Sequence, residues 1–208
     1  MNRFMNQVEM NQQAKLSEHF SLGELTRSKS HPEVYNIPSH VNVENLKRVC
    51  VWLEALRERY NRRYVLAGDT GGQVPKVEVF GENFISRPDP GGARPDPGGA
   101  RPDPEVISRP DPEEPIIITS GYRSAELNRK VGGVATSNHL TGCAVDIRVA
   151  GKEQLIRYAC ILLDYADETK QEFDELLLEH GSNGVIWLHF AVRPPTQQNR
   201  RKINFLQG

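Results

Sequence analysis

The sequence predicts an α+β fold: a small mixed or antiparallel sheet with flanking helices, interrupted by a Pro/Gly-rich low-complexity insertion. Three observations carry this. Two stretches, Val43 to Tyr60 and Lys152 to Ala166, repeat apolar residues every three to four positions, the spacing of a helix with one buried face. Four short runs rich in β-branched or alternating apolar residues are separated by helices, with a terminal strand pair, which suggests α+β. Between the two halves the tetrapeptide RPDP recurs at 87, 94, 101 and 109, and nine of the chain's 14 prolines lie in 87–115. Proline removes donors and fixes φ, and the Gly-Gly pairs add freedom, so neither helix nor sheet propagates there.

Taken in order, Ser21 with Glu24 three residues on is a capping box, flanked by Phe20 and Leu25 as a hydrophobic staple, and starts a short helix. In the next helix Leu46, Val49, Leu53, Leu56 and Tyr60 form the buried stripe. Residues 62–115 read as an insertion, with a hairpin over 62–86 and a solvated, semi-extended repeat over 87–112; docking of a partner on its regularly spaced arginines is the alternative. The run 116–119 is a strand, Ser124 caps a brief helix stopped by Gly132 and Gly133, and 144–149 is a second strand. In the long helix Leu155, Ile156, Ala159, Leu162 and Leu163 face inward, and strands over 173–179 and 185–192 complete a single domain spanning 1–208.

The 208 residues carry 26 Lys+Arg against 27 Asp+Glu, a net charge of -1, which argues against a dedicated nucleic-acid binder. No run approaches the roughly 18 apolar residues of a membrane span, and the first residues lack a signal-peptide core, so the protein is expected to stay in the cytoplasm unless a non-Sec route or lysis exports it; a monomer is expected. Cys50, Cys143 and Cys160 are odd in number and show no CxxC spacing; they read as small buried hydrophobes. Asp167, Glu168, Glu172, Asp174 and Glu175 read as a solvated acidic face, and NRRK at 199–202 as a surface tail.

Strand alternation selects the chemical candidates. Ala144, Asp146 and Arg148 share one face of their strand; Trp187, His189 and Ala191 share one face of theirs. His139 lies in a turn-rich segment seven residues before Asp146. Two imidazoles and one carboxylate meeting at a point leave a fourth tetrahedral position open, the pattern of a catalytic zinc site.

The segments ITSGYRS (118–124), NRKVGGVATSNHLTGCAVDI (128–147), FDELLLE (173–179) and WLHF (187–190) occur in this order and resemble the M15 family of zinc peptidases. That family's pattern runs SGYRS, a VGG turn, SxHxxGxAxDI, a strand reading FDQLIxE, and W-x-H. The similarity is to its zinc D-Ala-D-Ala carboxypeptidase-like proteins and phage endolysins, and extends to LSEHFSLGELTRS and NLKRVC near the N-terminus. Nine residues, HGSNGVIWL, separate Glu179 from His189, a longer interval than in that pattern.

The resemblance implies a Hedgehog-like α+β scaffold and a Zn2+ cofactor held by His139, Asp146 and His189. It implies Glu179 as general base, with His180 as an alternative neighbour of the metal, and Arg123 as the group that anchors substrate or steadies the oxyanion. Tyr122, Ser137 and Trp187 would line the substrate. The function implied is hydrolysis of peptidoglycan stem peptides, by D-Ala-D-Ala carboxypeptidase or endolysin-type endopeptidase action. A catalytically inactive, zinc-stabilised binding module of the same fold is the second reading, and an adaptor built on the RPDP repeats the third.

Overall fold

The computed structural model describes residues 11–65 and 113–207. The chain starts with a short helix, α1 (Leu22–Thr26), and its capping box is formed in both directions: Ser21 accepts from the Glu24 amide while the Glu24 carboxylate accepts from the Ser21 amide. Phe20 and Leu25, the staple pair, are both buried. Helix α2 (His40–Tyr60) follows, capped by Ser39. All five residues of its expected stripe are buried, each contributing on the order of 1.5–3 kcal/mol relative to exposure. A single wide turn, Asn61–Val65, ends it.

The second stretch builds the sheet. Strand β1 (Ile118–Ser120) leads through Gly121–Arg123 to α3 (Ala125–Lys130), capped by Ser124; β2 (Ala144–Arg148), α4 (Lys152–Thr169), β3 (Glu175–His180), β4 (Ile186–Ala191) and β5 (Lys202–Gln207) follow. The strand order is β1-β2-β4-β3-β5, antiparallel throughout except that β3 and β5 are parallel. The sheet is therefore mixed, and α+β is the observed class. Its apolar face sets Val145, Ile147, Leu176, Leu178, Leu188 and Phe190 into one core with Trp52 of α2 and Tyr158 and Leu162 of α4.

Three expectations need correction. The tail at 199–202 is no tail: it leads into β5, and Arg200 reaches back to Asp174 before Lys202 opens the strand. Cys50 and Cys143 are buried, but Cys160 is exposed on α4, because it falls off the apolar stripe of that helix. Ile156 is likewise exposed. The hairpin expected over 62–86 and the RPDP repeats fall, from residue 66 to residue 112, outside the described residues. Among the described residues no helix is long and apolar enough to cross a membrane.

Where the chain departs after α2 and where it returns are close together. The Asn61 side chain accepts from the Glu114 amide at 2.7 Å and donates to the Glu114 carbonyl at 3.1 Å, and Arg57 pairs with Glu113 at 2.7 Å.

Candidate metal centre

His139 is placed by a tight 3-10 turn, Asn138–Thr141. The Ser137 hydroxyl caps it, accepting from the His139 amide at 3.3 Å, and Gly142 closes it with φ 72°, where a Cβ would come within 2.5 Å of the Asn42 carbonyl. That glycine is required twice over, by its left-handed backbone and by the close approach of α2. The SGYRS turn docks on the same element: the Arg123 amide donates to the His139 carbonyl at 3.0 Å. Gly121 lies so close to the Leu25 carbonyl that a side chain there would clash with it.

Asp146 and His189 come from neighbouring strands and stand directly opposite each other in the β2–β4 register. One ligand atom from each of His139, Asp146 and His189 lies within 4.8 Å of the other two, and all three residues are buried. Asp146 Oδ1 is 3.2 Å from His139 Nε2 and 2.9 Å from His189 Nδ1. Bonds of about 2.0–2.1 Å in a tetrahedron put ligand atoms about 3.3 Å apart, so both separations suit a single zinc-sized ion.

Proton placement supports the same fit. His139 Nδ1 lies 2.6 Å from the Gly121 carbonyl, which can only accept, so Nδ1 is assigned the proton and Nε2 the lone pair. Burial lowers the pKa of His139 and keeps it neutral, outweighing the pull of Asp146. Its Nε2 lone pair and the Asp146 carboxylate then face each other with no proton between them, an arrangement that a cation relieves. On Asp146, burial alone would raise the pKa, but the two histidines beside it outweigh burial and lower it, so the carboxylate is ionised. On His189, burial works downward, yet its bond to Asp146 and the nearby Glu175 carboxylate lift it to about 9.

Arg123 grips the outer oxygen of Asp146, Nη2 to Oδ2 at 2.5 Å, while its Nε donates to Ser120 at 2.8 Å. Glu179 and Trp187 are cross-strand partners in β3–β4, two residues along the strands from Leu177 and His189. The long interval before His189 leaves this register unbroken, because the extra residues are taken up by a turn beyond it: Gly181 donates to the Val185 carbonyl at 2.8 Å and Gly184 to the Gly181 carbonyl at 3.0 Å. Burial raises the pKa of Glu179 and Asp146 adds to this, while His189, Trp187 and Arg123 work against it. His180 is exposed and, by alternation, on the other face from Glu179. Tyr122 is buried, and its ring belongs to the hydrophobic core.

Two acidic residues assigned to a solvated face belong instead to the surroundings of the site. Asp174 is fully buried; it accepts from Arg200 at 2.8 and 2.7 Å and from Asn138 at 2.8 Å, and Arg193 lies 3.0 Å away. Asn138 also donates to Glu175 at 3.0 Å, so the turn that carries His139 is tied to the start of β3. The signal was present: Glu175, Leu177 and Glu179 alternate onto one face, so choosing Glu179 also selects Glu175. Asp167, Glu168 and Glu172 are exposed as expected.

Residues 109–168 match the family model Peptidase M15. The match supports the M15 peptidase family, whose members are generally zinc-dependent, and with it a metallopeptidase in general. It covers Arg123, His139 and Asp146 and stops before Glu179 and His189; the geometry of the sheet is what joins those two to the matched part. Among curated proteins no match is found.

Proposed function

We propose that the protein is a zinc-dependent metallopeptidase acting on peptidoglycan stem peptides, as a D-Ala-D-Ala carboxypeptidase or an endolysin-type endopeptidase, on a Hedgehog-like scaffold. The observation that carries the proposal is the convergence of His139 Nε2 and His189 Nδ1 on one oxygen of Asp146. The three side chains hold the ion, with His139 oriented by the Gly121 carbonyl. Bound zinc supplies Lewis acidity, polarising a carbonyl and lowering the pKa of a water towards about 7.

The chain's own residues do the remainder. Glu179 accepts a proton from the attacking water and returns it to the leaving amine; its raised pKa brings it nearer the range where both transfers are favourable. Arg123, held by Asp146 through Nη2 and by Ser120 through Nε, would present its remaining guanidinium donors to a substrate carboxylate or developing oxyanion. Trp187, the cross-strand partner of Glu179, forms the wall beside it. Ser137 and Tyr122 act at one remove, Ser137 by capping the His139 turn and Tyr122 by seating the turn that bears Arg123. Stem peptides end in a free carboxylate, the ligand chemistry an arginine selects.

The test uses purified muropeptides and zinc-loaded full-length protein, with released D-Ala and cleaved stem peptides read by mass spectrometry. Glu179→Gln is expected to keep its zinc and lose roughly 100- to 10,000-fold in turnover. A zinc-loaded wild-type chain that yields no product anywhere between about pH 6 and 9 would overturn the enzyme in favour of the binding module.

A further inference from the structure

One nitrogen at the centre is left without a partner. His189 presents Nδ1 to Asp146, and its other ring nitrogen, Nε2, is buried with no hydrogen-bond partner among the described residues. Glu175 Oε2 stands 3.5 Å from it. That is about 0.3 Å beyond the upper end of an ordinary N–H···O bond, close enough to be an ion-pair contact but not yet a formed bond.

Glu175 is held from three sides. The oxygen that faces His189 accepts from Asn138 at 3.0 Å, and the other oxygen lies 2.8 Å from Arg200 and 3.3 Å from Lys202. It sits in β3 diagonally across from His189, two positions from the Leu177 that pairs with it. We propose that Glu175 is a positioning residue of the metal centre: its carboxylate accepts Nε2–H of His189 and so commits the Nδ1 lone pair to the metal. The proposal rests on the reading that His139, Asp146 and His189 hold the ion.

The chemistry is that of a neutral imidazole, which carries one proton and one lone pair. Fixing the proton on the outer nitrogen fixes the lone pair on the inner one, sets the plane of the ring and makes the ligand more basic. His139 already shows this arrangement, with the Gly121 carbonyl as its outer acceptor. The two ligands thus have different outer partners, a neutral carbonyl and a carboxylate. Asn138 couples them, since the residue next to His139 in the chain also holds the acceptor of His189. If Glu175 served only to pair β3 with the cations of β5, its removal would cost stability and leave the metal untouched.

Zinc affinity of the full chain, measured by chelator competition, separates these. Glu175→Ala is expected to weaken zinc roughly 10- to 100-fold, and Glu175→Gln, which keeps an acceptor oxygen, to restore most of that loss. Long-range 1H–15N spectra of the zinc-loaded wild type should place the His189 ring proton on Nε2. A ring proton on Nδ1 overturns the proposal even if Glu175→Ala does not fold. A folded Glu175→Ala with wild-type zinc affinity overturns it and leaves the metal centre standing. A wild-type chain that takes up no zinc overturns both.

Discussion

On the helix-facing side of the sheet, Val145, Ile147, Leu176, Leu178, Leu188 and Phe190 merge into one apolar core with α2 and α4. On the opposite side, the residues that alternate with them, Asp146, Glu175, Glu179 and His189, put three carboxylates and an imidazole on the same three strands. The first face is held by a non-directional force that asks only for volume and apolar area. The second depends on direction, because each buried charge needs a partner at the right angle. Asp146 has Arg123 and two histidines, Glu175 has Asn138 and two cations, and Glu179 has Trp187 as its cross-strand neighbour. Such a face adds little to stability compared with apolar residues of similar size. The core offsets that cost, and the charged face is free to hold an ion.

The comparison is sharpest when one residue is removed from each face. Phe190→Ala should cost about 3–5 kcal/mol by transfer and cavity terms, equally with and without zinc. Asp146→Ala leaves Arg123 without its carboxylate and should cost a similar amount, about 3–5 kcal/mol, in the metal-free protein. It should in addition abolish the increment that zinc gives the wild type, about 4 kcal/mol when free zinc exceeds Kd 1,000-fold. Urea unfolding of both variants with and without zinc reads all four numbers. An Asp146→Ala protein that still gains stability from zinc would erase the distinction between the faces.

A smaller effect is expected at the rim, where Asp174 is fully buried but its partner Arg200 is about half exposed. Burial alone would raise the Asp174 pKa; hydrogen bonds from Arg200 and Asn138, with the charges of Arg200 and Arg193, outweigh it and lower it. A depressed folded pKa means stability that is present above the unfolded value of about 3.9 and lost as pH falls through the folded one. Asp174→Asn should therefore destabilise at neutral pH, near or below the low end of the roughly 3–5 kcal/mol for a broken buried pair, since water screens Arg200. The penalty should shrink as pH drops below about 4. Urea midpoints across pH 3–7 check the sign; a penalty independent of pH would show that Asp174 acts by shape alone.

The two faces were not equally legible in the sequence. The apolar stripes of α2 and the alternation in β2 and β4 are legible directly, because burial follows a local period, and the same alternation sets Asp146 and His189 apart from the apolar residues of their strands. Asp174 and Glu175 were misread because an acidic run looks the same whether water or arginine satisfies it, and Arg193 and Arg200 lie far along the chain. Strand β5 was missed for a related reason. NRRK followed by INFLQ has charge at one end and only a weak alternation, and its pairing is parallel to β3, a contact no local turn announces. The tautomer of His139 depends on a carbonyl 18 residues away, at Gly121, and no spacing rule carries that.

The weakest expected effect concerns the segment that lies between the two described stretches. Asn61 bonds both the amide and the carbonyl of Glu114, so the two described stretches meet at one place. Closing a loop costs about (3/2)RT ln n, and halving its length changes that by only about 0.6 kcal/mol. Deleting residues 87–112 removes all four RPDP repeats and roughly halves the 66–112 segment without touching Asn61, Arg57, Glu113 or Glu114. Unfolding free energy should stay within about 1 kcal/mol of wild type, and zinc affinity and muropeptide turnover should not change. Both faces of the sheet would then be complete without the repeats. A deletion that keeps its stability and its zinc but loses turnover would instead extend the working surface beyond the sheet, and make the repeats a third region with its own share in substrate capture.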